Sequence, residues 1–86
     1  MEKRGASVMS RIKMLNLDSL YFEKLFLTGE LYCNESDYNF NIGDYISVKE
    51  TKNGKYTGRN CRVRLFFALK KEYCPQNLRI AKAVMI

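Results

Sequence analysis

The chain has 86 residues, 47 % apolar, 28 % charged and 13 % aromatic, with one proline and five glycines, enough for one small domain with one core. It carries a net charge of +6, no histidine, and three cysteines (Cys33, Cys61, Cys74) that form no Cys-x-x-Cys pair. These facts exclude a disordered tail, a Ser-His or Cys-His nucleophile pair and a histidine-bearing zinc site. With no Gly-x-Gly-x-x-Gly or Walker loop present either, binding is expected ahead of catalysis.

Residues 1–10 are polar and small without a period and read as a flexible arm, leaving 11–86 as the domain. Met1 to Ser7 lacks the apolar run of a secretory signal, no stretch approaches about 18 apolar residues, and the cysteine count is odd; a cytoplasmic location is expected. Ile12 to Leu17 partly alternates and predicts a first strand. Asp18-Ser19 supplies an N-cap, because a short side-chain oxygen there accepts an otherwise orphaned amide hydrogen. Leu20 to Thr28 then carries Phe22, Leu25 and Phe26 at helical spacing, a stripe expected in the core, and Gly29 ends the helix.

The rest reads as strands. Leu31 to Cys33 is a short one, followed by a polar loop and a turn over Phe40 to Asp44. Tyr45 to Glu50 alternates, with Ile46 and Val48 on one face. Asn53-Gly54 marks a hairpin, since a type I′ turn needs two residues at positive φ. Tyr56 to Arg59 returns from that turn. In the strand Cys61 to Leu69, the residues Cys61, Val63, Leu65, Phe67 and Leu69 share one face, with Arg62, Arg64 and Phe66 on the other. A turn-rich connection holding Pro75 leads to Leu78–Ile86, where Ala81, Ala83 and Met85 share a face. One helix and five to six strands at this length predict an α+β, mainly-β, partly closed barrel.

Charge is unevenly distributed. Residues 1–15 carry +3, residues 16–47 carry −5 and residues 48–86 carry +8, which predicts a surface with a basic and an acidic side. Arg59, Arg62 and Arg64, with Phe66 beside them, are the leading candidate surface. Guanidinium groups pair with phosphate oxygens and an aromatic ring offers a base something to stack on. Lys49, Lys52 and Lys55 around the hairpin add charge that could follow a phosphate backbone. On the acidic side, Tyr32, Glu35, Asp37 and Tyr38 are candidates for a protein interface, with Tyr45 and Asp44 close by. The carboxylates lack calcium-loop spacing, so no metal and no cofactor is expected.

Leu17-Asp18-Ser19-Leu20-Tyr21-Phe22-Glu23-Lys24, Thr28-Gly29, Asp37-Tyr38-Asn39-Phe40-Asn41-Ile42-Gly43-Asp44 and Tyr56-Thr57-Gly58-Arg59 occur in this order. In that order and spacing the chain, over about residues 11–86, resembles a short ASCH-like domain family of phages and prophages, within the PUA-like superfamily. The resemblance implies a PUA-like pseudobarrel with its helix plugging one side, and RNA or modified-nucleotide binding. Some ASCH relatives are amidohydrolases that use a lysine, a threonine and a glutamate. This chain departs from them there: between Gly29 and Phe40 it has no lysine, threonine or arginine, where the family places lysines, a threonine and Glu-x-Arg. The fold is therefore carried over and the activity is not. Two functions are expected from this: a non-catalytic nucleic-acid-binding protein, with RNA as ligand, or a phage inhibitor that binds a host protein such as a nucleic-acid enzyme or defence complex.

Overall fold

The computed structural model describes residues 12–86; the arm expected at 1–10 lies outside them. The elements are β1 (Lys13–Asp18), α1 (Ser19–Thr28), β2 (Glu30–Asn34), β3 (Tyr45–Lys52), β4 (Lys55–Ala68) and β5 (Leu78–Met85), with single 3₁₀ turns at Glu35–Asp37 and Lys71–Tyr73. Five strands in the order β1-β3-β4-β5-β2 form one curled half-barrel, so the fold is α+β and mainly β. Only β1 and β3 run parallel; the other neighbours are antiparallel.

The two edge strands are consecutive in sequence, and α1 joins them. It packs on β1, β2 and β3 and covers the open side of the curl. Its start is fixed by Asp18, whose carboxylate accepts the Tyr21 backbone N–H at 3.1 Å. Its end is fixed by Gly29 at φ +78°, whose N–H donates to the Leu25 carbonyl at 2.9 Å.

The core follows from alternation. Leu15, Leu17, Leu31, Cys33, Ile46, Val48, Val63, Leu65, Ala81 and Ala83 point inward from the five strands and meet Phe22 and Leu25 of α1 and Phe40 of the β2–β3 connection. Four placements need correction. Phe26, expected in the core, is 53 % exposed, because a helix seated across the edges buries only the narrow Phe22–Leu25 stripe. Phe67, expected inward, is exposed, because a bulge after Leu65 shifts the register against β5. Leu69 lies past the end of β4 and Met85 is 40 % exposed, so neither joins the buried core.

The pieces Tyr56–Arg59 and Cys61–Leu69 are one strand of 14 residues. The expected hairpin is present: Asn53 at φ +54° and Gly54 at φ +79° make the turn between paired Lys52 and Lys55. Among the described residues, no helix is long and apolar enough to cross a membrane.

Candidate nucleic-acid interface

Burial of Val63 and Leu65 forces the alternate residues Arg62 and Arg64 onto the outer face of β4, where both are exposed. Across the ladder to β3, Arg62 lies opposite Ser47 and Arg64 opposite Tyr45. On the other side, Arg64 lies opposite Val84 of β5. The Arg64 guanidinium sits 5.6 Å over the Tyr45 ring, and its Nε–H is 3.5 Å from the Gly43 carbonyl, a long contact; among the described residues no carboxylate bridges it.

Phe66 is exposed on the same strand, as expected, and Phe67 beside it is exposed as well. Lys82 projects outward from β5 opposite Phe67, and Lys49 lies on the outer face of β3, 5.3 Å over the Tyr56 ring. The outer positions of β3, β4 and β5 (Tyr45, Ser47, Lys49, Thr51, Asn60, Arg62, Arg64, Phe67, Ile80, Lys82, Val84) include no carboxylate. On the flanking strands, Asp18 of β1 lies opposite Thr51 and caps α1, and Glu30 of β2 lies opposite Lys82 and is bridged to Lys24 at 3.4 Å.

Arg59 does not belong to this surface. β4 carries two extra residues around Gly58 (φ +97°), opposite Glu50. This bulge aims both Thr57 and Arg59 at that inward carboxylate. The Thr57 hydroxyl donates to Glu50 Oε1 at 2.6 Å, and Arg59 Nε lies 3.3 Å from the same oxygen. Arg59 Nη2 also reaches Glu23 of α1 at 2.8 Å, and its guanidinium plane lies over the Phe22 and Phe26 rings at 5.1 and 5.7 Å. The bond from Thr57, with Ser19 and Arg59 adding, holds the Glu50 carboxyl below its ordinary range. Arg59 is thus a clamp between helix and hairpin, on the opposite side of the sheet from Arg62 and Arg64.

Lys52 and Lys55 stand exposed at the hairpin tip; Lys55 is seven residues from Arg62, roughly 20 Å along an extended strand, so the hairpin lysines are a separate feature.

The expected acidic interface does not assemble. Tyr32 stacks on Tyr21 of α1 at 5.9 Å and lies under Lys24, while Glu35 is bound by Lys71 at 2.6 Å. Tyr38 is half-buried, edge-on to Phe40 at 5.3 Å and 4.4 Å below the Arg79 guanidinium. Only Asp37 of the four is exposed. What forms near Tyr32 instead is a groove of about 600 Å³ whose apolar lining is Leu20, Tyr21, Leu27, Tyr32 and Leu78, with Glu23, Lys24 and Thr28 also on its wall.

Arg79 was not singled out by the sequence, although alternation with Ala81 and Ala83 puts it on the inner face. Its Nε is buried without a hydrogen-bond partner among the described residues. Lys82 and Tyr45 were legible as outward by the same alternation. Phe67 was not, because one inserted residue reverses the parity.

Burial pushes the Cys33 thiol up to about 11, with Asp37 adding, and also raises Cys61. Neither supplies a thiolate nucleophile near neutral pH. Among the described residues, no group of three or more Cys, Asp or Glu side chains is placed to hold a metal ion. Comparison with protein-family models and with curated proteins gave no match.

Proposed function

We propose that this chain is a non-catalytic nucleic-acid-binding protein of the ASCH-like, PUA-like kind, with RNA as its ligand, acting in the cytoplasm of a phage's host. The observation that carries this reading is the outer sheet face, where Lys49, Arg62, Arg64 and Lys82 stand without a carboxylate among the outer positions of their strands. A surface with uncompensated cations binds phosphate by releasing condensed counterions. Four cations imply a plot of log K against log salt with a slope of about −3 on a single strand.

The test is fluorescence anisotropy with labelled RNA across a salt series. Wild type should bind with that slope. Arg62→Glu with Arg64→Glu should lose at least about tenfold in affinity, beyond what one lost contact explains. Unchanged affinity in the double variant overturns the proposal. The curled sheet and its helix are the architecture the resemblance implies, which supports the family part of the reading.

A second reading, inhibition of a host protein, draws on a different surface. Leu20 and Leu27 of α1 are 76 % and 69 % exposed above the apolar groove. Exposed apolar side chains grouped in this way commonly mark protein interfaces. A stoichiometric host protein captured on nuclease-treated bait, and lost with Leu20→Asp plus Leu27→Asp, is the result this reading requires.

A further inference from the structure

Beyond the bulge at Gly58, β4 breaks its alternation a second time, just after Leu65. Leu65 lies opposite Ala83 and Phe67 opposite Lys82, so β4 carries one residue more than β5 at this point. An unbroken strand would turn Phe67 inward with Val63 and Leu65. The bulge instead leaves Phe66 52 % and Phe67 47 % exposed as neighbours on the rim of the outer face. Two adjacent phenyl rings forgo burial here, although the inner face of the sheet is apolar. They lie among cations: Arg64 precedes Phe66 by two residues and Lys82 faces Phe67. Tyr45, 42 % exposed, lies opposite Arg64 beneath its guanidinium.

We infer that this face takes a single-stranded nucleic acid, an inference that rests on the nucleic-acid reading above and specifies it. Phosphates lie on Arg62, Arg64 and Lys82, and unpaired bases lie on the rings of Phe66, Phe67 and Tyr45. A duplex offers a sheet face only phosphates and sugars, because its base faces are covered by their stacked neighbours; exposed rings gain nothing from it. A single strand offers charge and bare base faces together. The dimensions suit this. Arg62 and Arg64 are about 7 Å apart along β4, near the separation of successive phosphates in an extended strand. The site opposite Tyr45 and Phe67 face Val84 and Lys82, two positions along β5 and about 7 Å apart, room for two stacked bases. An acidic peptide would meet the same cations but would have no flat rings to lay on the aromatic side chains, and so serves as the competing ligand in the test.

The experiment compares labelled oligouridylate, an RNA duplex of equal length and oligoglutamate as ligands of the 86-residue protein. Wild type should bind the single strand about tenfold or more tighter than either competitor. Phe66→Ala with Phe67→Ala, and Phe66→Leu with Phe67→Leu, which keeps apolar bulk, should each lose about tenfold or more for the single strand and leave duplex binding unchanged. In the wild-type protein, ring protons of Phe66 and Phe67 should move upfield as oligouridylate saturates, a readout that needs no variant. Equal binding of single strand and duplex, with no ring-proton movement, overturns this inference while leaving the nucleic-acid reading intact if Arg62→Glu with Arg64→Glu still removes both. Absence of binding to either RNA, or oligoglutamate bound as tightly as oligouridylate, overturns both.

Discussion

Gly29 joins the helix to the sheet, and replacing it tests how the two are coupled. Its φ of +78° is left-handed, and a Cβ built on it would stand 2.9 Å from the Ala83 carbonyl oxygen. An L-residue held left-handed costs about 1–2 kcal/mol. Relief of the contact means moving β5 away from Gly29, and Ala83 N–H donates to the Gly29 carbonyl at 2.9 Å. Loss of that shielded backbone bond costs about 1–3 kcal/mol more. Gly29→Ala should therefore destabilise by about 2–5 kcal/mol, a large share of the roughly 5–15 kcal/mol typical of a domain. Two companions separate the causes. Gly58→Ala at φ +97° meets nothing within 4 Å, so it bears the conformational cost alone. Gly29→Asn keeps the Cβ contact but tolerates the left-handed backbone better. Urea unfolding followed by circular dichroism, with hydrogen exchange at the Ala83 amide, measures the series. The reasoning fails if Gly29→Ala is no worse than Gly58→Ala, or if Ala83 exchanges as slowly in the variant as in wild type.

Phe22→Ala should cost about 3–5 kcal/mol and Phe26→Ala about 1 kcal/mol or less, since Phe22 is 2 % and Phe26 53 % exposed; thermal melts distinguish them. The Asp44 carboxyl is held low, first by the Asn41 N–H and then by Lys13, and Glu50 is held low by the Thr57 hydroxyl. Groups lowered on folding contribute stability that is complete above the ordinary carboxylate range and is lost as pH falls through their folded values. The urea midpoint should therefore drop below about pH 4–5, and Glu50→Gln should flatten that slope. Cys33, 1 % exposed with its thiol raised to about 11, should resist Ellman's reagent near pH 8 until the chain unfolds; prompt labelling would contradict its burial. Arg59→Lys should destabilise almost as much as Arg59→Met, because an ammonium cannot reach Glu23 and Glu50 from two nitrogens while lying flat on two rings, and neither change should weaken RNA binding.

The fold was largely legible because local signals and alternation agree. Asp18 and Gly29 bound the helix where capping chemistry requires, Asn53-Gly54 turns the hairpin, and Val63 with Leu65 orients β4. Where the reading failed, one inserted residue or one tertiary contact was responsible. Phe67 and Arg59 lie beside bulges, and a bulge leaves no periodic trace: the strand pattern before and after it looks sound, with only the parity reversed. Phe26 failed differently. Its i, i+3, i+4 spacing is correct for a helix lying flat on a sheet, but α1 straddles two edges and buries a narrower stripe. Of the candidate surface, Arg62, Arg64 and Phe66 could be placed by counting, whereas the identity of their neighbours could not. Those neighbours, Tyr45, Val84 and Lys82, come from register between strands far apart in sequence.

The same distinction decides what the charge means. The segment totals of −5 and +8 suggested an acidic and a basic side, yet folding places most of the acids of the −5 segment in ion pairs or a helix cap. Glu23, with Glu50 of the basic segment, neutralises Arg59; Glu35 binds Lys71, Asp44 binds Lys13, Glu30 binds Lys24 and Asp18 caps α1, so the acidic segment provides counter-ions more than an acidic surface. Arg79 is likewise withdrawn onto Tyr38. What is left on the outer face is set by strand parity: the bulge at Gly58 turns Arg59 inward to meet its carboxylates, while regular alternation from Asn60 keeps Arg62 and Arg64 outside, where no carboxylate of the described residues bridges them. A ligand attracted by charge therefore responds to the cations left on one face and not to the net +6 of the chain, which is why the salt slope, and not affinity alone, is the quantity that locates the site.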